Sequence, residues 1–176
     1  MKRIILLLLA TTLLAACGNK TEKEFADLVA QADTHYSRGD YEAARIVYEK
    51  ALDLKENVDV RNKYDKAKAE IKLSESYGDI KAKITTAVAK LDKVTDITEL
   101  KRVTGEVTDA ISELEALQVD STLRSSVEVR SAKKSKQLSE IKYQAASIEA
   151  RGILGTNYYE LATSLKKAAD ELINDM

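Results

Sequence analysis

Few residues in this chain could carry out chemistry. There is one cysteine, Cys17, and one histidine, His35, among 176 residues. A lone thiol forms no internal disulfide, so its role is either reactivity or modification. No glycine-rich phosphate loop, GxSxG elbow or HExxH pair occurs, and these are the arrangements that bring backbone amides, a nucleophile or two imidazoles to one point. Carboxylates are plentiful but interspersed with Lys and Arg at helical spacing, which reads as solvated helix surface rather than an acid/base pair. His35 falls at an apolar-face position and is expected to pack or to cap, not to catalyse or bind metal. The basic cluster Arg130, Lys133, Lys134 and Lys136 could meet an anionic surface. With Glu128 and Glu140 close by, it reads better as a solvated face.

The setting of Cys17 is the most informative feature. Met1-Lys2-Arg3 is a short positive segment. The apolar run Ile4 to Leu14 follows, and its length of about 11 residues suits a signal-peptide core, whereas a spanning helix needs ~20. The positive end stays cytoplasmic while the run enters the export machinery. The segment ends Leu14-Ala15-Ala16-Cys17-Gly18. This resembles the lipobox of bacterial lipoproteins, in which a Leu and two small residues precede a required Cys. The resemblance implies cleavage between Ala16 and Cys17. It also implies a thioether-linked diacylglyceryl group on Cys17, with fatty chains of the palmitate kind, and so a lipid bilayer as the first partner. With the thiol so used, a Cys nucleophile and a Cys/His zinc site are excluded. Gly18 replaces the Asp that marks inner-membrane retention in two-membrane cells. The expected location is therefore the cell envelope, on the outer membrane of such a cell or the outer face of a single membrane.

The leader, residues 1–16, leaves a chain of 160 residues out of 176, the size of one domain. Lys2 and Arg3 go with it, so 26 of the 28 basic residues face 29 acidic ones. A near-neutral surface gives no reason to expect nucleic acid. Proline is absent, and Ala, Leu, Lys and Glu are abundant, so an all-α chain is expected. Nothing calls for a cofactor.

Residues 17–23 read as a lipidated polar tether, and helices begin at about Glu24. Ser37-Arg38-Gly39-Asp40 reads as a turn, with Gly39 ending one helix and Asp40 capping the next. Residues Phe25 to Asn57 resemble one tetratricopeptide repeat. Leu28, Ala32 and His35 match its first helix, Gly39-Asp40-Tyr41 its turn, and Ala44, Tyr48, Ala51 and Leu52 its second helix. Gln31, His35 and Glu56 depart from the pattern, and no second repeat follows at the 34-residue period. The resemblance implies that Val29, Asp33, Tyr36 and Ser37 line a groove that holds a partner protein.

One further helix, about Val58 to Tyr77, carries Val60, Tyr64, Ala67 and Ile71 on one face. Residues 24–77 thus form a repeat-like hairpin with a capping helix, and residues 78–176 an antiparallel helical bundle. In the bundle, Ile80, Ile84, Ala87, Leu91 and Val94 alternate at spacings of 4 and 3, which is an a/d seam of the coiled-coil kind. Asp96 and Glu99 form a capping box. Ile97, Leu100, Val103/Thr104, Val107, Ile111, Leu114 and Leu117 continue the stripe. Asp120-Ser121 is expected to cap one long helix carrying Leu123, Val127, Leu138, Ile141, Ala145 and Ile148. Gly152 and Gly155 end it, and Asn157 with Glu160 caps a last helix with Tyr158, Leu161, Leu165, Ala168 and Leu172 on one face.

These expectations describe a non-enzymatic, membrane-anchored adaptor or assembly module whose partner is another envelope protein. The alternative is a structural lipoprotein that self-associates through the seam or contacts the cell wall.

Overall fold

The computed structural model describes the backbone of residues 2–151 and 157–176, and the side chains of residues 20–150 and 157–176. Seven helices occupy the described residues, with no strand. The fold is all-α. The leader and Cys17 lie outside the described side chains, as do Gly152 and Gly155.

The chain divides into two compact units, Met1–Ile71 and Lys72–Met176. The first contains α1 (Lys2–Arg38), α2 (Tyr41–Leu54) and the opening half of α3 (Val58–Leu91). The α1–α2 turn follows from one glycine. Gly39 sits at φ 83°, where a side chain would be strained. The Gly39 amide donates to Tyr36 O and the Asp40 amide to His35 O, each at 3.0 Å. This pair of bonds is the Schellman closure of a helix C-terminus. Asp40 then caps α2 by accepting from the Ala43 amide at 3.4 Å. The core between the helices rests on alanines: Ala32, Ala44, Ala51 and Ala67 are fully buried. Without bulk at these positions the backbones approach closely, and Phe25, Val47, Tyr48, Leu52 and Val60 fill the space beside them.

The second unit holds the rest of α3 with α4 (Ile97–Ala116), α5 (Ser126–Lys133), α6 (Lys136–Arg151) and α7 (Tyr158–Asp175). The seam is buried as expected. Ile80, Ile84, Ala87, Leu91 and Val94 are covered, and so are Leu100, Val103, Val107, Ile111 and Leu114. Asp96 Oδ1 accepts from the Glu99 amide at 2.9 Å, and Glu99 Oε2 accepts from the Thr95 amide at 3.0 Å. The reciprocal cap thus closes one residue earlier than the ideal box. Cross-helix ion pairs record the antiparallel run: Lys83–Glu113 and Lys90–Glu106 join α3 to α4, while Lys142–Glu115 and Lys101–Glu149 join α6 to α4.

Five expectations are corrected. The tether is helical from Lys20 onward, and Glu22 pairs with Lys55 at 2.9 Å. Gly78 does not end a helix, because α3 runs through it from Val58 to Leu91 and the division between units falls at Ile71/Lys72. A single exposed glycine costs a helix only ~1 kcal/mol, and the flanking Tyr77 and Ile80 are buried and hold it in place. The long helix expected after Asp120 is two helices, α5 and α6, broken at Lys134 and Ser135. Asp120 stabilises a turn instead, accepting from the Thr122 amide at 2.8 Å. Because α5 starts only at Ser126, its inward face is set by Val129 and Ala132, and Val127 is 64% exposed.

Gly78 supplies a test of the continuous helix. A Cβ built there meets nothing within 4 Å. Gly78→Ala should therefore stabilise the protein by about 0.5–1 kcal/mol, through helix propensity and a less flexible unfolded chain. Urea denaturation followed by circular dichroism reads the shift, and a destabilised variant would contradict a helix through this point.

Candidate functional site

Of the residues Val29, Asp33, Tyr36 and Ser37 on α1, Asp33 and Tyr36 meet the first half of α3. Val29 is half-buried against the first-unit core. Asp33 accepts from the Tyr48 hydroxyl at 2.6 Å and from Lys63 Nζ at 2.8 and 2.9 Å. One carboxylate therefore ties three helices together. Its pair with Lys63 is nearly half exposed on either side, so the attraction is screened and modest. The Tyr48 ring is buried. Burial, then the hydrogen bond to Asp33 and its negative charge, hold the Tyr48 phenol well above its ordinary pKa.

Tyr36 reaches past Asp33 to a residue that sequence reasoning missed. Its hydroxyl donates to Glu70 Oε1 at 3.0 Å, and Glu70 is fully buried. The Tyr36 ring also meets Tyr41 edge-on, with centroids 5.3 Å apart. Ser37 is exposed and turns its hydroxyl back to Thr34 O at 2.9 Å. Of the four expected groove residues, Asp33 and Tyr36 are thus engaged by α3, Val29 packs, and Ser37 faces solvent. A carboxylate on an otherwise apolar stripe was the signal for Glu70: Ala67, Glu70, Leu73, Tyr77 and Ile80 continue one buried line, one step round the helix from Ile71.

His35 caps. Its Nδ1 lies 3.2 Å from Asp40 Oδ2, joining the last turn of α1 to the cap of α2. The basic cluster does not present one face. Arg130 donates to Ser126 O at 3.2 Å and to Ser126 Oγ at 2.7 Å. Lys133 donates at 2.6 Å to the carbonyl of Leu117, the C-cap of α4, where a cation complements the helix dipole. Lys134 and Lys136 remain exposed.

The second unit carries several concavities. A cleft of about 360 Å³ between α6 and α7 is lined by Lys136, Glu140, Gln144, Ser164, Lys167 and Glu171. A broader groove of about 600 Å³ between α3 and α4 has Ala82, Thr86, Ala87 and Ala110 along it. Its rim carboxylates Glu106 and Glu113 are paired with Lys90 and Lys83. Lys90 and Arg102 together hold the Glu106 carboxyl below its usual range. Among the described residues no group of His, Cys, Asp and Glu could hold a metal ion, and no helix is long and apolar enough to cross a membrane.

Comparison of the chain with protein-family models, with curated proteins and with solved structures finds no match in any of the three.

Proposed function

We propose that this is a lipid-anchored envelope protein that binds another envelope protein as an adaptor or assembly module, without catalysis of its own. The observation that carries the reading is Leu14-Ala15-Ala16-Cys17 at the end of a short apolar leader, with Cys17 the single cysteine of the chain. Acylation explains why an exported chain would keep one thiol. Anchoring then confines the helical body to a membrane surface and raises its effective concentration for partners there.

The resemblance of Phe25 to Asn57 to a tetratricopeptide repeat supports protein binding. With Asp33 and Tyr36 engaged by α3, the surface open to a partner is Ser37 and the exposed side of the Asp33–Lys63 pair. Burial of the Ile80 to Leu114 seam within the chain favours this reading over a structural lipoprotein that self-associates through that seam.

The test has two arms. Cys17→Ser should leave an unprocessed precursor, and a normally processed, membrane-retained Cys17→Ser protein would sink the anchor. Cross-linking in living cells, followed by purification from solubilised membranes, should recover one abundant partner. Ser37→Arg should lose it while the far-ultraviolet spectrum stays unchanged. Recovery of the chain alone, or of wall material, would move the weight to the structural reading.

A further inference from the structure

One end of the first unit lies where the described side chains of α1 begin. Lys55 Nζ sits 2.9 Å from Glu22 Oε1 and 5.5 Å from the centroid of the Phe25 ring. The α2–α3 connection is therefore pinned beside Glu22 and Phe25 of α1. Glu22 follows Cys17 by only five positions, a reach of at most roughly 18 Å at ~3.5 Å per residue. Two apolar side chains flank this same connection, Leu54 at 39% and Val58 at 74% exposure. Val58 is the most exposed large apolar residue among those described.

We propose that the α2–α3 turn is a membrane-contacting edge, with Leu54 and Val58 seated in the headgroup–acyl boundary of the bilayer that holds Cys17. The proposal rests on the lipid-anchor reading. The anchor supplies proximity, so a shallow apolar contact suffices where a free protein would need a large one. Charge identifies the kind of surface. Lys20, Lys23 and Lys55 are offset by Glu22, Asp53, Glu56 and Asp59 around the turn, and Glu56 is itself paired with Arg61 at 2.7 Å. The edge is not a basic patch, so a zwitterionic bilayer satisfies it and anionic lipid adds nothing. The contact would also fix how the first unit stands on the membrane, with the Gly39 turn and Ser37 at the far end of α1. From Glu22 to Arg38 the helix rises about 24 Å at 1.5 Å per residue.

The chain contains no tryptophan, so a single introduced indole reports its own surroundings. Val58→Trp and Arg38→Trp replace exposed residues at opposite ends of the first unit. The full-length variants are purified from the membranes of cells that process them. Mass spectrometry checks the lipid on Cys17, and the protein is reconstituted into phosphatidylcholine vesicles with brominated acyl chains. The expected result is strong quenching and a blue shift for Val58→Trp, severalfold beyond Arg38→Trp and insensitive to salt. Equal quenching at the two positions, or none at either in protein shown to be acylated, overturns the proposal. So does an indole at position 58 that is blue-shifted but not quenched by brominated lipid, which would mark a protein occupant instead. A mass without the lipid fails the anchor reading itself and the proposal with it.

Discussion

Leu165→Ala should remove about 2–5 kcal/mol of stability, while Val127→Ala should change it by less than ~0.5 kcal/mol. The side chains are of similar size and sit on adjacent parts of the same unit. Leu165 on α7 is fully buried, whereas Val127 on α5 is 64% exposed. Truncating Leu165 loses the transfer of its methyl groups out of water and leaves a cavity that fixed helices close only in part. Against a total of about 5–15 kcal/mol for a domain, this is a large fraction. Urea titration with helical signal as the readout gives both values. A costly Val127→Ala would mean that α5 is turned and that the long-helix expectation, with Val127 inward, was correct after all.

The second large effect is expected at Glu70. Tyr36→Phe deletes only the hydroxyl that donates to Glu70 Oε1. It should nevertheless cost about 1–3 kcal/mol, because it withdraws a donor from a buried acceptor whose desolvation is already complete. The isosteric Glu70→Gln keeps an oxygen for Tyr36 and should cost less than Glu70→Ala, which also opens a cavity. The decisive measurement is the double-mutant cycle of Tyr36→Phe with Glu70→Leu. If the pair matters through its mutual bond, Tyr36→Phe becomes much cheaper once the carboxylate is gone. Strict additivity would show that the hydroxyl and the carboxylate act independently.

The sequence made the periodic parts of this fold legible and hid the polar exceptions. Ile80 to Val94 and Leu100 to Leu114 could be placed because branched apolar residues recur at 3 and 4, and burial follows from that spacing alone. Asp40, Asp96 and Asn157 could be named as caps because a short acceptor beside a helix start meets free amides. The break at Lys134 and Ser135 was not visible, since neither residue stops a helix by its own chemistry. There Lys134 donates its amide to Arg130 O and Ser131 O, at 3.1 and 3.2 Å, and the chain turns because Leu138 and Ile141 must reach the core. Gly78 misled in the opposite direction, because local propensity of about 1 kcal/mol is outweighed by tertiary packing. At the candidate site the turn was readable, but of the four residues expected to line a groove Asp33 and Tyr36 meet α3, Val29 packs on the core and Ser37 is exposed. What single-helix reasoning could not supply was the helix opposite them. Lys63 and Glu70 lie on α3, and their meeting with Asp33 and Tyr36 depends on how three helices cross.

The ion pairs between α3 and α4 have one more consequence. Both lysines, Lys83 and Lys90, stand on α3 one heptad apart, and both acids, Glu106 and Glu113, stand on α4 at the same interval. Each exposed pair is worth at most ~1 kcal/mol, so the ladder adds little to stability. Its arrangement discriminates. An α3 that met another α3 would set lysine against lysine, and an α4 that met another α4 would set carboxylate against carboxylate. The hairpin thus pairs unlike charges, while each of its two helices disfavours a second copy of itself.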